Sequence, residues 1–146
     1  MIAHTSARVS RVLGIFALLS VSLASIGCRS NAPVLERTAY EGPSITIDRS
    51  GATYLLRVES PSPGWSVTLD QVEPSFGQST LTVTSRRPDP SYMYPQVMVT
   101  QELLTTVDVR TPIDVYARVL DFASSPNAGA YRFVGSSRAD EAPSSP

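Results

Sequence analysis

Between residues 44 and 135 the apolar side chains recur at every second position, the period of a pleated strand rather than of a helix. Ile45 and Ile47 alternate with polar neighbours. Tyr54, Leu56 and Val58 form a second run, and Trp65, Val67 and Leu69 a third, with Ser66, Thr68 and Asp70 on the opposite side. Leu81 and Val83 stand between Thr80, Thr82 and Thr84. Val97 and Val99 lie among Gln96, Met98 and Thr100. Ile113, Val115, Ala117 and Val119 make the longest run, with Tyr116, Arg118 and Leu120 facing the other way, and Tyr131 and Phe133 close the series. Turn formers separate the runs: Ser50-Gly51, Pro61-Ser62-Pro63-Gly64, Ser75-Phe76-Gly77, Pro88-Asp89-Pro90, Thr111-Pro112 and Asn127-Ala128-Gly129. Valine and threonine at these positions favour strands. The pattern predicts an all-β domain over residues 44–135, an antiparallel β-sandwich of about seven strands and immunoglobulin-like type, with a small closed barrel as the alternative. Glu102 to Asp108 fits either a strand continuation or a crossover between sheets.

The N-terminus follows a different rule. Arg8 and Arg11 precede the uncharged run Val12 to Ile26, which has the length of a secretory h-region and falls short of the roughly 20 apolar residues of a spanning helix. The run ends Leu23-Ala24-Ser25-Ile26-Gly27-Cys28, and Cys28 is the only cysteine. This segment resembles the lipobox of bacterial lipoproteins: a small residue at the cleavage edge, an apolar residue before it and a cysteine directly after, with Ser25 where leucine is usual. The resemblance implies diacylglyceryl transfer to the Cys28 sulfur, cleavage after Gly27, and acylation of the new amino terminus with a fatty acid such as palmitate. Thiolate nucleophilicity explains the cysteine, and several acyl chains anchor stably where one is marginal. Arg29, rather than the Asp that often retains such lipoproteins in the inner membrane, follows the cysteine, so the resemblance implies the outer membrane. The expected organisation is a signal peptide over 1–27, a lipidated N-terminus and linker over 28–43, the sandwich, and a small polar disordered tail over 136–146.

Composition narrows the chemistry further. All 12 basic residues are arginine, and the only histidine, His4, falls inside the leader. Cleavage before Cys28 leaves 10 arginines against 13 acidic residues, so the footprint of a nucleic-acid binder is absent. Without histidine or lysine, Ser-His-Asp and Ser-Lys nucleophilic schemes have no base. Zinc and copper sites lack their usual ligands, and no Gly-rich phosphate loop occurs. Asp108, Asp114 and Asp121 remain as a formal set of carboxylates for acid–base chemistry or calcium, but their spacing fits solvated strand ends. The expectation is a non-enzyme with no cofactor and no metal.

Two clusters suggest binding instead. Pro61-Ser62-Pro63-Gly64-Trp65 opens the third strand with a rigid turn and a large aromatic surface. Arg86-Arg87-Pro88-Asp89-Pro90-Ser91-Tyr92-Met93-Tyr94-Pro95 joins guanidinium groups and aromatics in one long connection. Since two strands separate these clusters, both are expected at one end of the sandwich, offering Trp65, Arg86, Arg87, Tyr92 and Tyr94 as one surface. The order from Pro63 to Val72, then Leu81 to Thr84, then Tyr94 to Val99 resembles small PrcB-type protease-complex domains, with Trp65 where that family often has tyrosine. The Pro-Gly-aromatic turn is also similar to one binding loop of chagasin-like cysteine-protease inhibitors, whose Gly-rich second loop is replaced here by Ser75-Phe76-Gly77-Gln78. Both resemblances imply a non-catalytic domain that binds proteins. The expected function is a lipid-anchored, periplasm-facing envelope module with a protein partner. The alternatives are a structural envelope component without a ligand site and a protease-inhibitor-like domain.

Overall fold

The computed structural model describes residues 32–138, which belong to one compact unit. The expected signal peptide, Cys28 and most of the expected tail lie outside the described residues. Eight strands form two sheets: β1 (Leu35–Ala39), β2 (Ser44–Ser50), β3 (Thr53–Ser60), β4 (Ser66–Ser75), β5 (Gln78–Arg86), β6 (Val99–Asp108), β7 (Ile113–Leu120) and β8 (Tyr131–Ser137). The larger sheet has the order β1-β8-β7-β5-β4 and the smaller the order β2-β3-β6. Among the described residues there is no helix long and apolar enough to cross a membrane.

The period-2 pattern is what builds this arrangement. Tyr54 and Leu56 of β3 pack with Leu81 and Val83 of β5 and with Ile113, Val115 and Ala117 of β7, all fully buried, and Val107 joins them; Val58 of β3 is fully buried as well. Each valine, leucine or isoleucine among them contributes about 1.5–3 kcal/mol when removed from water. Two polar groups work inside this core. Tyr54 donates its hydroxyl to Val109 O at 2.9 Å, and Thr105 donates to Tyr54 O at 2.8 Å, tying β3 to the far end of β6. The turns β2–β3 and β4–β5 each place a glycine at positive φ, Gly51 at 62° and Gly77 at 73°, where a side chain would be strained.

The sandwich follows the prediction and seven of its strands overlap the predicted runs, but β4 starts after Trp65 and β6 only at Val99, which leaves Val97 and Met98 exposed in the preceding loop; Glu102 to Asp108 is strand continuation within β6. Two further features depart from expectation. The first is β1, an eighth strand inside the segment expected to be linker. It pairs with β8, and every one of its residues is exposed, so no alternation marked it. The second is strand direction. Four ladders are antiparallel as expected, but β5–β7 and β1–β8 are parallel. The chain leaves β5, crosses to the other sheet as β6 and returns as β7, so two reversals bring β7 back in the direction of β5.

These directions define two ends. The hairpin end carries the β2–β3 and β4–β5 turns, the β6–β7 connection and the exit of β8. The loop end carries the β3–β4 turn, the β5–β6 loop, the β7–β8 loop and the start of β1.

Candidate functional site

The loop end brings together the two clusters singled out in the sequence. Ser66 pairs with Arg86, so the turn before β4 and the loop after β5 leave the sheet side by side. They pack directly. A Cβ on Gly64 would lie 2.7 Å from Pro88 Cβ and 2.7 Å from the Tyr94 ring, so only glycine lets this turn close against the loop. Trp65 is half-buried, with its carbonyl accepting from Gln101 Nε2 at 3.0 Å and its N–H donating to Ser62 O at 3.4 Å. Tyr94 is half-buried on Gly64 and meets Tyr92 edge-on, with ring centroids 6.5 Å apart. Tyr92 and Met93 project into solvent, at 68% and 101% exposure.

The two arginines do different work. Arg86 directs its guanidinium inward to the β7–β8 loop and donates to the carbonyls of Asp121, Phe122 and Ser124 at 2.9–3.0 Å. It is a clamp, with its NH1 spent on the fold. Arg87 lies outside it and pairs with Asp121 Oδ1 at 3.1 Å, both side chains largely exposed, while its backbone N–H extends the β5–β7 ladder to Leu120 O. Clamped in this way, the β7–β8 loop exposes Phe122 beside Arg87. Of the expected surface, Tyr92 is exposed to a partner, Arg87 is exposed but paired with Asp121, Trp65 and Tyr94 form the joint beneath, and Arg86 fixes the neighbouring loop.

Sequence reasoning missed a second cluster, on the outer face of the larger sheet. Asp70 is the extra residue of a bulge in β4, between Leu69 and Gln71, which aims its carboxylate along that face. Its Oδ2 accepts from the Thr84 hydroxyl and from Tyr131 OH at 2.9 Å. Arg118 lies buried beside them. Its Nε donates to Thr84 Oγ1 at 2.8 Å, its terminal nitrogens to Ala128 O and Pro126 O, and its guanidinium carbon sits 4.2 Å over the Tyr131 ring. Burial chiefly raises the Tyr131 pKa, so the phenol stays protonated and is no nucleophile. Thr68, Asp70, Thr84, Arg86 and Arg118 line a shallow groove of about 220 Å³ here. Arg118 and Asp70 are already partnered within the fold, and the cluster's visible work is to hold the β7–β8 loop over the sheet. The face was legible, since Arg118 sits on the outward side of the β7 alternation. Its partners come from three other strands and were not.

The remaining carboxylates do not converge. Asp108 holds Arg110 by two side-chain contacts of 2.8–3.0 Å, and those hydrogen bonds bring its pKa down to about 2. Asp114 is the second residue of β7 and Asp121 follows the strand, so most of its length, roughly 20 Å, separates them. Among the described residues no group of three or more histidines, cysteines or carboxylates is placed to hold a metal.

No family model matches this sequence, and neither a curated protein nor a solved structure matches it.

Proposed function

We propose that the protein is a lipid-anchored module of the bacterial cell envelope, held through Cys28 in the outer membrane and facing the periplasm, that works without catalysis by binding a protein partner. The anchor half of the reading rests on the apolar run that ends at the sole cysteine, as in a lipobox. The binding half rests on one structural observation, the open edge of β6. Among the described residues this ten-residue strand pairs with β3 alone, and Leu104 on it is exposed. Unpaired backbone with an apolar side chain is the surface that β-strand addition uses, the main chain supplying affinity and the side chains selectivity. The neighbouring edge, β4, is guarded: Pro74 and the Asp70 bulge interrupt its pairing capacity.

The inhibitor-like alternative has less support. A turn that enters a protease cleft has to stand free, whereas Gly64 lies under Pro88 and Tyr94.

The test is site-specific photo-crosslinking in intact envelopes, with the crosslinker at position 104 or at position 76, an exposed site on the hairpin end. A discrete protein adduct at 104 that is absent at 76, and that Thr106→Pro on the same strand removes while the domain stays folded, supports the reading. Adducts that are identical at both positions, or absent from both, overturn it.

A further inference from the structure

Several exposed apolar side chains lie at the end where the chain joins the fold, while Phe76 is exposed at the opposite, hairpin end and Leu104 along β6. β1 runs parallel to β8, with Leu35 opposite Tyr131, and Tyr131 N–H donates to Val34 O at 2.8 Å. That bond pins Val34 at the head of β8, directly after the β7–β8 loop. The strand directions put this point on the loop end, with Tyr92, Met93 and Phe122. Val34 and Leu35 are themselves exposed. The described C-terminus, past Ser137 of β8, leaves from the hairpin end.

We propose that the loop end rests on the lipid surface, with Tyr92, Met93 and Phe122 in the headgroup region. The proposal depends on the lipid anchor at Cys28 put forward above. Six residues of chain carry the backbone from Cys28 to Val34, a reach of about 20 Å when fully extended. Strands of eight to ten residues make the sandwich roughly 30 Å tall, so a tether this short keeps the loop end as the near end.

The surface chemistry agrees. Tyrosine and phenylalanine sit well at the headgroup level, and methionine is apolar and adaptable. The charges around them are largely met within the fold: Arg86 by three carbonyls, Arg87 and Asp121 by each other, and Asp89 by the Ser91 N–H. A patch this small does not hold a free domain on a bilayer. Joined to an anchor it need not, because a short tether gives an effective concentration on the order of millimolar and weak contacts then suffice. The sandwich would stand with its β6 edge roughly along the membrane normal, open to a partner from the side.

The experiment uses the full chain, processed in cells and reconstituted into phosphatidylethanolamine–phosphatidylglycerol vesicles. Met93→Cys, Phe122→Cys and Phe76→Cys are each labelled with an environment-sensitive thiol fluorophore and exposed to lipids carrying a quencher near the headgroup. The unsubstituted chain is carried through the same labelling, because a thioether at Cys28 leaves no thiol to react. Thermal melts confirm that the three variants fold alike. The expected result is an unlabelled parent chain in the vesicles, with positions 93 and 122 quenched several-fold more than position 76. If the parent stays unlabelled and vesicle-bound while all three positions are equally aqueous, the orientation is overturned and the anchor stands. If the parent labels at Cys28 and leaves the vesicles, the anchor reading fails and the orientation fails with it.

Discussion

Arg118 stacks on Tyr131 and spends its Nε and both terminal nitrogens on Thr84, Ala128 and Pro126. Replacing it with methionine keeps much of the apolar stem and removes the charged hydrogen bonds. Arg118→Met should therefore lower unfolding free energy by about 2 kcal/mol, read from denaturant or thermal melts. Thr82 makes the opposite case. It lies on the same outer face, 2% exposed, and its hydroxyl has no hydrogen-bond partner among the described residues. Valine has nearly the same shape without the desolvated hydroxyl, so Thr82→Val should stabilise by about 1 kcal/mol in the same assay. An unchanged or lower melting temperature would mean that the hydroxyl is satisfied. Neither role was legible in the sequence. Alternation assigns both residues to the outer face, but a hydrogen bond between residues 34 or 61 positions apart depends on which strands become neighbours.

At the scale of elements, alternation was enough wherever one face of a strand is buried and the other wet. β2 and β3 follow their predicted runs for this reason, whereas β5 and β7 follow theirs through the alternation of side-chain type although both of their faces are largely buried. β1 has no buried face, so hydrophobicity could not mark it; it is held by backbone pairing with β8. The parallel ladders were hidden because strand direction depends on how many times the chain crosses between sheets, which period-2 patterning does not encode. The loop end was legible in its placement, since the two strands β4 and β5 bring the chain back to its starting side. The inward turn of Arg86 was not, because its acceptors are backbone carbonyls, which carry no sequence signature. The β6–β7 connection gives a pH test. Asp108 titrates at about 2 in the fold, lowered mainly by hydrogen bonds from Arg110, against roughly 3.9 in an unfolded chain. A depressed carboxylate pKa adds stability that is present above pH 4 and is lost as pH falls from there toward 2. Asp108→Asn should flatten the loss of melting temperature across that window and leave the neutral-pH shape of the curve unchanged. An acid limb identical to the parent's would show that the pair does not contribute.

Over the whole molecule, the strands form one sandwich whose loop end gathers the start of β1 and the exposed Tyr92, Met93 and Phe122, while β6 offers an open edge along its side. The proposed function joins these features: a lipid at Cys28 fixes the domain at the membrane, and the open edge meets a protein. Both depend on what happens at Cys28. The most direct measurement is the intact mass and N-terminal peptide mass of the protein purified from the membrane fraction of the cells that make it. The account predicts a chain that begins at Cys28 and carries a diacylglyceryl group on its sulfur and a fatty acyl group on its amino terminus, with Cys28→Ser losing both and leaving the membrane fraction. An N-terminus at any other residue, or a Cys28 of unmodified mass, would contradict it.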